Sequence, residues 1–338
     1  MCIRDRAWLS LLIAVILLYI ATGDWYIYSN MSDDNAINYG MRLCINLLIV
    51  LAVIIPAAQF PFQGWLIESV AAPTPVSAIM HAGIVNAGGV ILTRFSPVFN
   101  DEIAISLLLI IASISVLLGS GISLVHVDYK RQLVGSTISQ MGFMLVQCAL
   151  GAYSAAIVHL ILHGVFKATL FLQSGSVVKR FNIPTPPSVK KSYGWLVFGR
   201  LLAILIAIIF WLNSDRHAYD VLSALILAWS LMVSWNQLVA FSHGLIGVCM
   251  IIVVAIVYII THHYFFTTLS NVDIHIVSPP LISIILSIAI IVFGSMLSIW
   301  VSRRRESKAF AKLYLWLIKV GEAKTQSIES HPSYLKRF

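Results

Sequence analysis

Long apolar runs separated by short polar connections set the pattern of this chain. About ten of these runs approach the ~20 residues an α-helix needs to cross a bilayer. They predict helices at roughly 7–22, 39–58, 73–94, 102–125, 130–150, 152–178, 193–212, 219–236, 243–262 and 280–301. The expected fold is all-α and polytopic. The connections between runs alternate in charge. One set holds Arg4 and Arg6, Lys130 and Arg131, Lys179, Arg180, Lys190 and Lys191, and the Arg303, Arg304, Arg305 cluster. The other holds Asp24, Asp33, Asp34, Asp101, Glu102, Asp215, Asp220 and Asp273, against only Arg42, Arg94 and Arg216. Basic residues concentrate in cytoplasmic loops, so this alternation places the tail in the cytoplasm and supports the helix count.

Composition agrees. Of 338 residues, 59% are hydrophobic and 11% charged, and the mean hydropathy is +0.91. Such a chain is an integral membrane protein rather than a soluble domain. The net charge of +8 sits in loops and tail, so it does not indicate nucleic acid. Cys2, Cys44, Cys148 and Cys249 are scattered, with no CxxC and no metal-ligand spacing. Adjacent His262 and His263 point in different directions on a helix and read as interfacial rather than metal-binding. Neither a metal nor a cofactor is expected. Arg4 and Arg6 precede an apolar run from Trp8 to Ala21, but no small-residue cleavage site follows. The opening hexapeptide is unlike the rest, and the chain reads as an N-terminally truncated piece. The expected division is a transmembrane region over 1–302 and a basic tail over 303–338. In that tail Ala309, Leu313, Leu317 and Val320 recur at helical spacing among Lys308, Lys312, Lys319 and Lys324. This predicts an amphipathic helix on the membrane face or against a partner. A solvated tail tied to the membrane by charge fits the same pattern.

Candidate chemistry lies in two places. The first is QFPFQGWLIESVAAPTPVSAIMHAGIVNAGGVILTR, from Gln59 to Arg94. A re-entrant or amphipathic lead-in, Phe60 to Trp65, precedes one acid, Glu68. Pro73 and Pro75 open an apolar run that carries a single histidine, His81, among small residues. Gly and Pro at this density are tolerated in lipid only where neighbours or an internal cavity satisfy the backbone. Small residues let helices approach closely. An ionisable group in such an element is by default a proton or ion-path candidate.

The second is AYSAAIVHLILHGVFKATLFLQSGSVV, residues 152–178. His159, His163 and Lys167 stand at i, i+4 and i+8, drifting by only about 40° per step. They form one polar stripe on an apolar cylinder. A lysine at mid-membrane costs about 2.5–3.5 kcal/mol on insertion scales. Three ionisable groups on one face are better explained by proton exchange than by packing, although histidines bonding neighbouring helices and a snorkelling Lys167 would give the same pattern. The preceding helix offers Ser136, Thr137, Ser139 and Gln140, with Gln147 further on, as partners for an internal water chain.

Three motifs now carry a resemblance: APTPVSAIMHAG (Ala72 to Gly83), DYKRQLVGSTISQMGFM (Asp128 to Met144) and HLILHGVFKATLFLQSGSV (His159 to Val177). In this order they resemble the antiporter-type proton-translocating membrane subunits. That family includes chain L of NADH–quinone oxidoreductase, the large Mrp Na+/H+ antiporter subunit and the membrane subunit of the Dab inorganic-carbon system. HAGIVNAGG (His81 to Gly89) is more similar to the Dab branch than to the respiratory HAATMVTAG. The respiratory Gly-Phe-Phe-Ser-Lys-Asp-Glu stretch is absent, and nothing like a long lateral helix follows Arg305.

The resemblance implies an antiporter-like core of inverted five-helix repeats. It implies a proton path through His81, His159, His163 and Lys167, with Gln59, Glu68, Ser139 and Gln140 as supporting polar groups. Trp65 completes the family's QxPxxxWL pattern with Gln59. One departure stands out: the family commonly carries a lysine in a broken helix three residues before that glutamine, and here the position is Pro56. The glutamate that usually pairs with that lysine belongs to an upstream helix. The implied function is a proton- or cation-conducting subunit of the bacterial inner membrane, with no chemistry of its own. Its implied partner is a large zinc-binding, DabA-like cytoplasmic subunit that converts CO2 to bicarbonate. Membership of a respiratory membrane arm, or of an Mrp antiporter with its other membrane subunits, are the alternatives.

Overall fold

The computed structural model describes residues 3–23, 25, 37–174, 193–212 and 307–322, with scattered positions between 224 and 300. Asp24, Asp33, Asp34, Asp215, Arg216, Asp220 and Asp273 lie outside the described residues, as do the 181–192 loop, Lys179, Arg180, His262, Lys324 and the Arg303, Arg304, Arg305 cluster. Residues 1–178 and 274–338 form one compact unit; residues 179–273 form another.

The described residues are helical, with no strand among them. In chain order the helices are α1 (Ile3–Thr22), α2 (Tyr39–Ile54), α3 (Gly64–Glu68), α4 (Thr74–Ala82), α5 (Ala87–Arg94), α6 (Glu102–Val125), α7 (Tyr129–Ala149), α8 (Tyr153–Gln173), α9 (Tyr193–Leu212) and α10 (Lys308–Gly321). The expected runs 102–125 and 193–212 are reproduced to the residue. Described positions from 224 to 235, 248 to 260 and 282 to 300 are helical, as the last three runs predicted. Caps explain sharp starts. Asp101 accepts the Ile103 and Ala104 amides at the head of α6, Asp128 accepts the Lys130 amide at the head of α7, and Ser307 accepts the Phe310 amide at the head of α10.

Two expected helices are broken instead. The run 39–58 ends as a helix at Ile54. Pro56 has no amide to donate, and Ala58 takes the left-handed region at φ +53°. The freed backbone is satisfied internally, as the membrane interior demands. Ser115 Oγ accepts the Phe60 amide at 2.8 Å, and Trp65 Nε1 donates to the Ile55 carbonyl at 2.9 Å. Gln59 Nε2 donates to the Ala57 and Ile138 carbonyls at 2.6 and 3.4 Å, which ties the break to α7. The run 73–94 likewise divides into α4, a 3-10 turn over Ile84–Asn86, and α5. Asn86 Nδ2 reaches back to the Ala82 carbonyl at 2.7 Å across that turn.

Four described helical stretches are long and apolar enough to cross a membrane: Asp5–Thr22, Thr74–Arg94, Glu102–Val125 and Ala155–Gln173. The second of these is the broken α4–α5 run. Helix α7 is equally long but polar, and its residues are mostly buried. It packs against α6 almost backbone to backbone. A Cβ on Gly119 would lie 2.5 Å from the Ser139 amide and 2.6 Å from the Gly135 carbonyl oxygen, and one on Gly135 would meet the Ser123 amide at 2.6 Å. Only glycine permits this approach. On its other side α7 faces α8, which is apolar outward and polar inward. Ile161, Leu162, Val165, Phe166 and Leu172 are exposed, while His163, Lys167 and Phe171 are buried. That inversion of the soluble pattern is what lipid requires.

Helix α10 crosses the flank of α6. Leu317 sits where a Gly121 side chain would be, and Tyr314 Oη donates to the Val125 carbonyl at 3.5 Å. The expected inner face is present in Leu313, Leu317 and Val320, which are half-buried. Ala309 departs from it and is exposed. In the second unit, Ala203, Ile206 and Phe210 of α9 share a buried core with Leu227, Leu231, Trp235 and Ile251.

Candidate functional site

Four elements supply the polar axis: the α3–α4 segment, the Ile84–Asn86 turn, α7 and α8. His81, one residue from the end of α4, is fully buried. Its ring stacks on Phe171 with centroids 4.3 Å apart and planes 16° apart. Its Nε2 lies 2.9 Å from Ser69 Oγ. Lys167 is also fully buried and donates to Ser136 Oγ at 2.8 Å and to the Leu133 carbonyl at 3.2 Å. A buried ammonium is tolerable because these oxygens replace part of its hydration.

His159 stands between two amides. Its Nδ1 is 3.1 Å from Gln147 Oε1 and its Nε2 is 3.0 Å from Gln140 Oε1. Each glutamine can present either oxygen or NH2 by turning its amide. The pair can therefore satisfy the imidazole in either neutral tautomer or as the cation. His163 lies between these stations, with its ring centroid 6.1 Å from that of His159. It is buried, and neither ring nitrogen has a hydrogen-bond partner among the described residues. His81 Nδ1 and Asn86 Oδ1 are in the same condition. Through Phe171, one turn beyond Lys167 on α8, the His81 ring packs directly against the helix that carries the stripe. The α8 backbone comes close enough to bring them together because Gly164 has no side chain: a Cβ there would lie 3.0 Å from the Ala82 carbonyl.

All four expected path residues thus fall in one neighbourhood, from His159 through His163 and Lys167 to His81. The supporting residues divide. Gln140 faces the stripe. Gln59 is buried, but it braces the Pro56–Phe62 break rather than touching the histidines. Two expectations need correction. Ser139 does not face α8. It shares an α7 face with Gly135 and Gly142, and its hydroxyl pairs with Ser120 of α6 at 2.9 Å. Glu68 is exposed, and no contact brings it into the cluster; its neighbour Ser69 turns inward instead. Two participants were missed by sequence reasoning, Ser69 and Phe171. Phe171 had a signal, since it continues the i+4 series of His159, His163 and Lys167. Ser69 had none, because two prolines separate it from His81.

The pattern of the family described as NADH:quinone oxidoreductase/Mrp antiporter, transmembrane, matches residues 3–251. A Bacillus subtilis protein named "Probable inorganic carbon transporter subunit DabB" is 56% identical over 338 residues, covering 98% of this chain and 67% of its own length. A Bacillus anthracis protein of the same name is 53% identical, covering 98% and 66%. This chain therefore spans about two thirds of the length of those relatives. The chloroplastic NAD(P)H-quinone oxidoreductase subunit 5 of Chloranthus spicatus is 36% identical over 201 residues, covering 57% of this chain and 27% of its own length. The Mrp complex of Dietzia sp. shares the fold with a TM-score of 0.53 at 22% identity, over 98% of this chain and 43% of that one. By its sequence and its all-α fold, this multi-pass membrane protein belongs to the NADH:quinone oxidoreductase/Mrp antiporter transmembrane family.

Proposed function

We propose that the chain is the proton- or cation-conducting membrane subunit of an inorganic-carbon transporter. The observation that carries this reading is the array of bases, buried at His163, Lys167 and His81 and half-buried at His159, on a scaffold 56% identical to a DabB protein. A proton advances along it by stations. His159 exchanges its proton through water, while its two glutamine amides hold the ring in either protonation state. His163, Lys167 and His81 exchange across water, which the unpartnered buried nitrogens of His163 and His81 call for. Lys167 is the switch: as a cation it is held by Ser136 and Leu133, and as an amine it can accept.

The word subunit in the relatives' names supports a partner. We assign that role to a large zinc-binding, DabA-like cytoplasmic protein, whose CO2 hydration the ion gradient drives in one direction. The chain sits in the bacterial inner membrane with α10 on the cytoplasmic side. Packing supports this, since α10 lies on the α6 end beside the basic Asp128–Arg131 turn. On α10 the exposed Lys308, Lys312 and Lys319, flanked by Leu315 and Trp316, suit the headgroup layer. The respiratory alternative has the weaker support, with 36% identity over 57% of the chain.

The experiment is co-expression of the full-length gene with its genomic neighbour in a host lacking carbonic anhydrase, scored for growth in ambient air. Rescue that disappears with Lys167→Ala or with an uncoupler is the expected result. Failure to rescue with both proteins assembled in the membrane moves the chain to the respiratory or antiporter branch.

A further inference from the structure

The hydroxyl of Ser69 stands between the Leu66 carbonyl and the His81 ring. Ser69 Oγ lies 2.6 Å from the Leu66 carbonyl oxygen and 2.9 Å from His81 Nε2. A serine hydroxyl owns one proton, and a carbonyl can only accept. The Ser69 proton is therefore committed to Leu66, and the hydroxyl oxygen must accept from the ring. Neutral His81 then carries its proton on Nε2, and Nδ1 is a bare lone pair. That nitrogen is buried and has no hydrogen-bond partner among the described residues. The ring cannot readily turn to exchange its nitrogens, because the Phe171 face lies against it.

We propose that Ser69 is a positioning residue that locks His81 as its Nε2–H tautomer and so makes Nδ1 the atom at which a proton arrives. This rests on the proton-path reading given above and adds direction to it. When the Lys167 ammonium releases its proton, through water, to Nδ1, the lysine becomes a neutral amine and the imidazole becomes the cation. The cation's Nε2–H is already bonded to Ser69, so the charged ring needs no rearrangement on that edge. With the opposite tautomer, Nδ1 would carry a proton and could not accept one. Ser69 thus sets the order of events without touching the moving proton.

The test is nitrogen-15 magnetic resonance of histidine-labelled full-length protein in lipid bilayers, with His81→Gln to assign the signal. The wild type is expected to show a protonated Nε2 and a bare Nδ1. Ser69→Ala removes one hydrogen bond of about 1 kcal/mol, a roughly fivefold change in the tautomer ratio. Ser69→Thr keeps the hydroxyl and is expected to restore the wild-type signature. Proton flux into proteoliposomes, read with a pH-sensitive dye, should fall severalfold in Ser69→Ala and recover in Ser69→Thr. A wild-type Nδ1–H tautomer, an unchanged signature in Ser69→Ala, or a changed signature with unchanged flux each overturns the proposal. The expected signatures in a protein that carries no flux at all would leave Ser69 setting the tautomer and sink the transport reading instead.

Discussion

Replacing Lys167 by methionine separates its charge from its bulk. The stem is kept and the ammonium is lost. In the structure that ammonium makes two hydrogen bonds, to Ser136 Oγ and the Leu133 carbonyl. Hydrogen bonds to a charged group contribute about 1.5–3 kcal/mol each, so the two together contribute about 3–6 kcal/mol. Burying the lysine at mid-membrane costs about 2.5–3.5 kcal/mol. The net contribution to stability therefore lies between about −0.5 and +3.5 kcal/mol, within the range of an ordinary single substitution. Of the partners left behind, the Leu133 carbonyl keeps the Thr137 hydroxyl at 2.9 Å, and Ser136 is only half-buried. Lys167→Met should insert and fold. Loss of a positioned proton donor and acceptor slows transfer by about 10²–10⁴. The assay is dye-reported proton flux in proteoliposomes holding the full-length protein with its partner, normalised to inserted protein. Lys167→Ala should be equally inactive but less stable, because it also removes the buried stem and leaves a cavity. Wild-type flux in a well-inserted Lys167→Met protein would refute the reasoning and leave the lysine as packing.

Gly119→Ala should lower the melting temperature in detergent through a cost of about 1–3 kcal/mol, because the new methyl meets the Ser139 amide and the Gly135 carbonyl, and backbone cannot step aside. Gly64→Ala, with nothing within 4 Å of its Cβ, is the matched control and should leave melting unchanged. His126 predicts a pH dependence at the α6–α10 contact, where it lies against Gly321. Burial, and secondly the Arg131 charge, hold its pKa below the ordinary 6.5, while Glu322 and Asp128 pull it up. A depressed pKa means that the undocked state binds the proton more readily, so docking is fully supported above pH 6.5 and is lost as pH falls below it. Protection against hydrogen exchange across Lys308–Gly321, taken relative to the intrinsic rate at each pH, should fall on acidification in the wild type and not in His126→Gln.

The sequence exposed the helices wherever apolar content was unbroken, as at 102–125. It exposed the axis through a spacing, since His159, His163 and Lys167 share a face on any α-helix. Ser139 shows what counting polar residues overlooks. It lies three and four residues from Gly142 and Gly135, and that shared face was already a sign that it turns toward a close neighbour rather than toward α8. The break at Gly83 was readable only as a dense patch of small residues, which equally describes close helix packing. Alanine is no marker of a left-handed turn, so the backbone at Ala58 gave no local sign. Ser69 became visible only once the α3–α4 segment folded back upon itself, a tertiary event with no periodicity to betray it.

The interruption after Ala82 has an electrostatic consequence. A continuous helix over 73–94 would carry its peptide dipoles past His81 and end far away. Stopping at Ala82 places the negative end of α4, worth roughly half an elementary charge, within one turn of that ring. The axis is built from bases, and Glu68 stands exposed outside it. The backbone terminus is thus a ready counter-charge for a passing cation, fixed in place and unable to take up the proton it attracts.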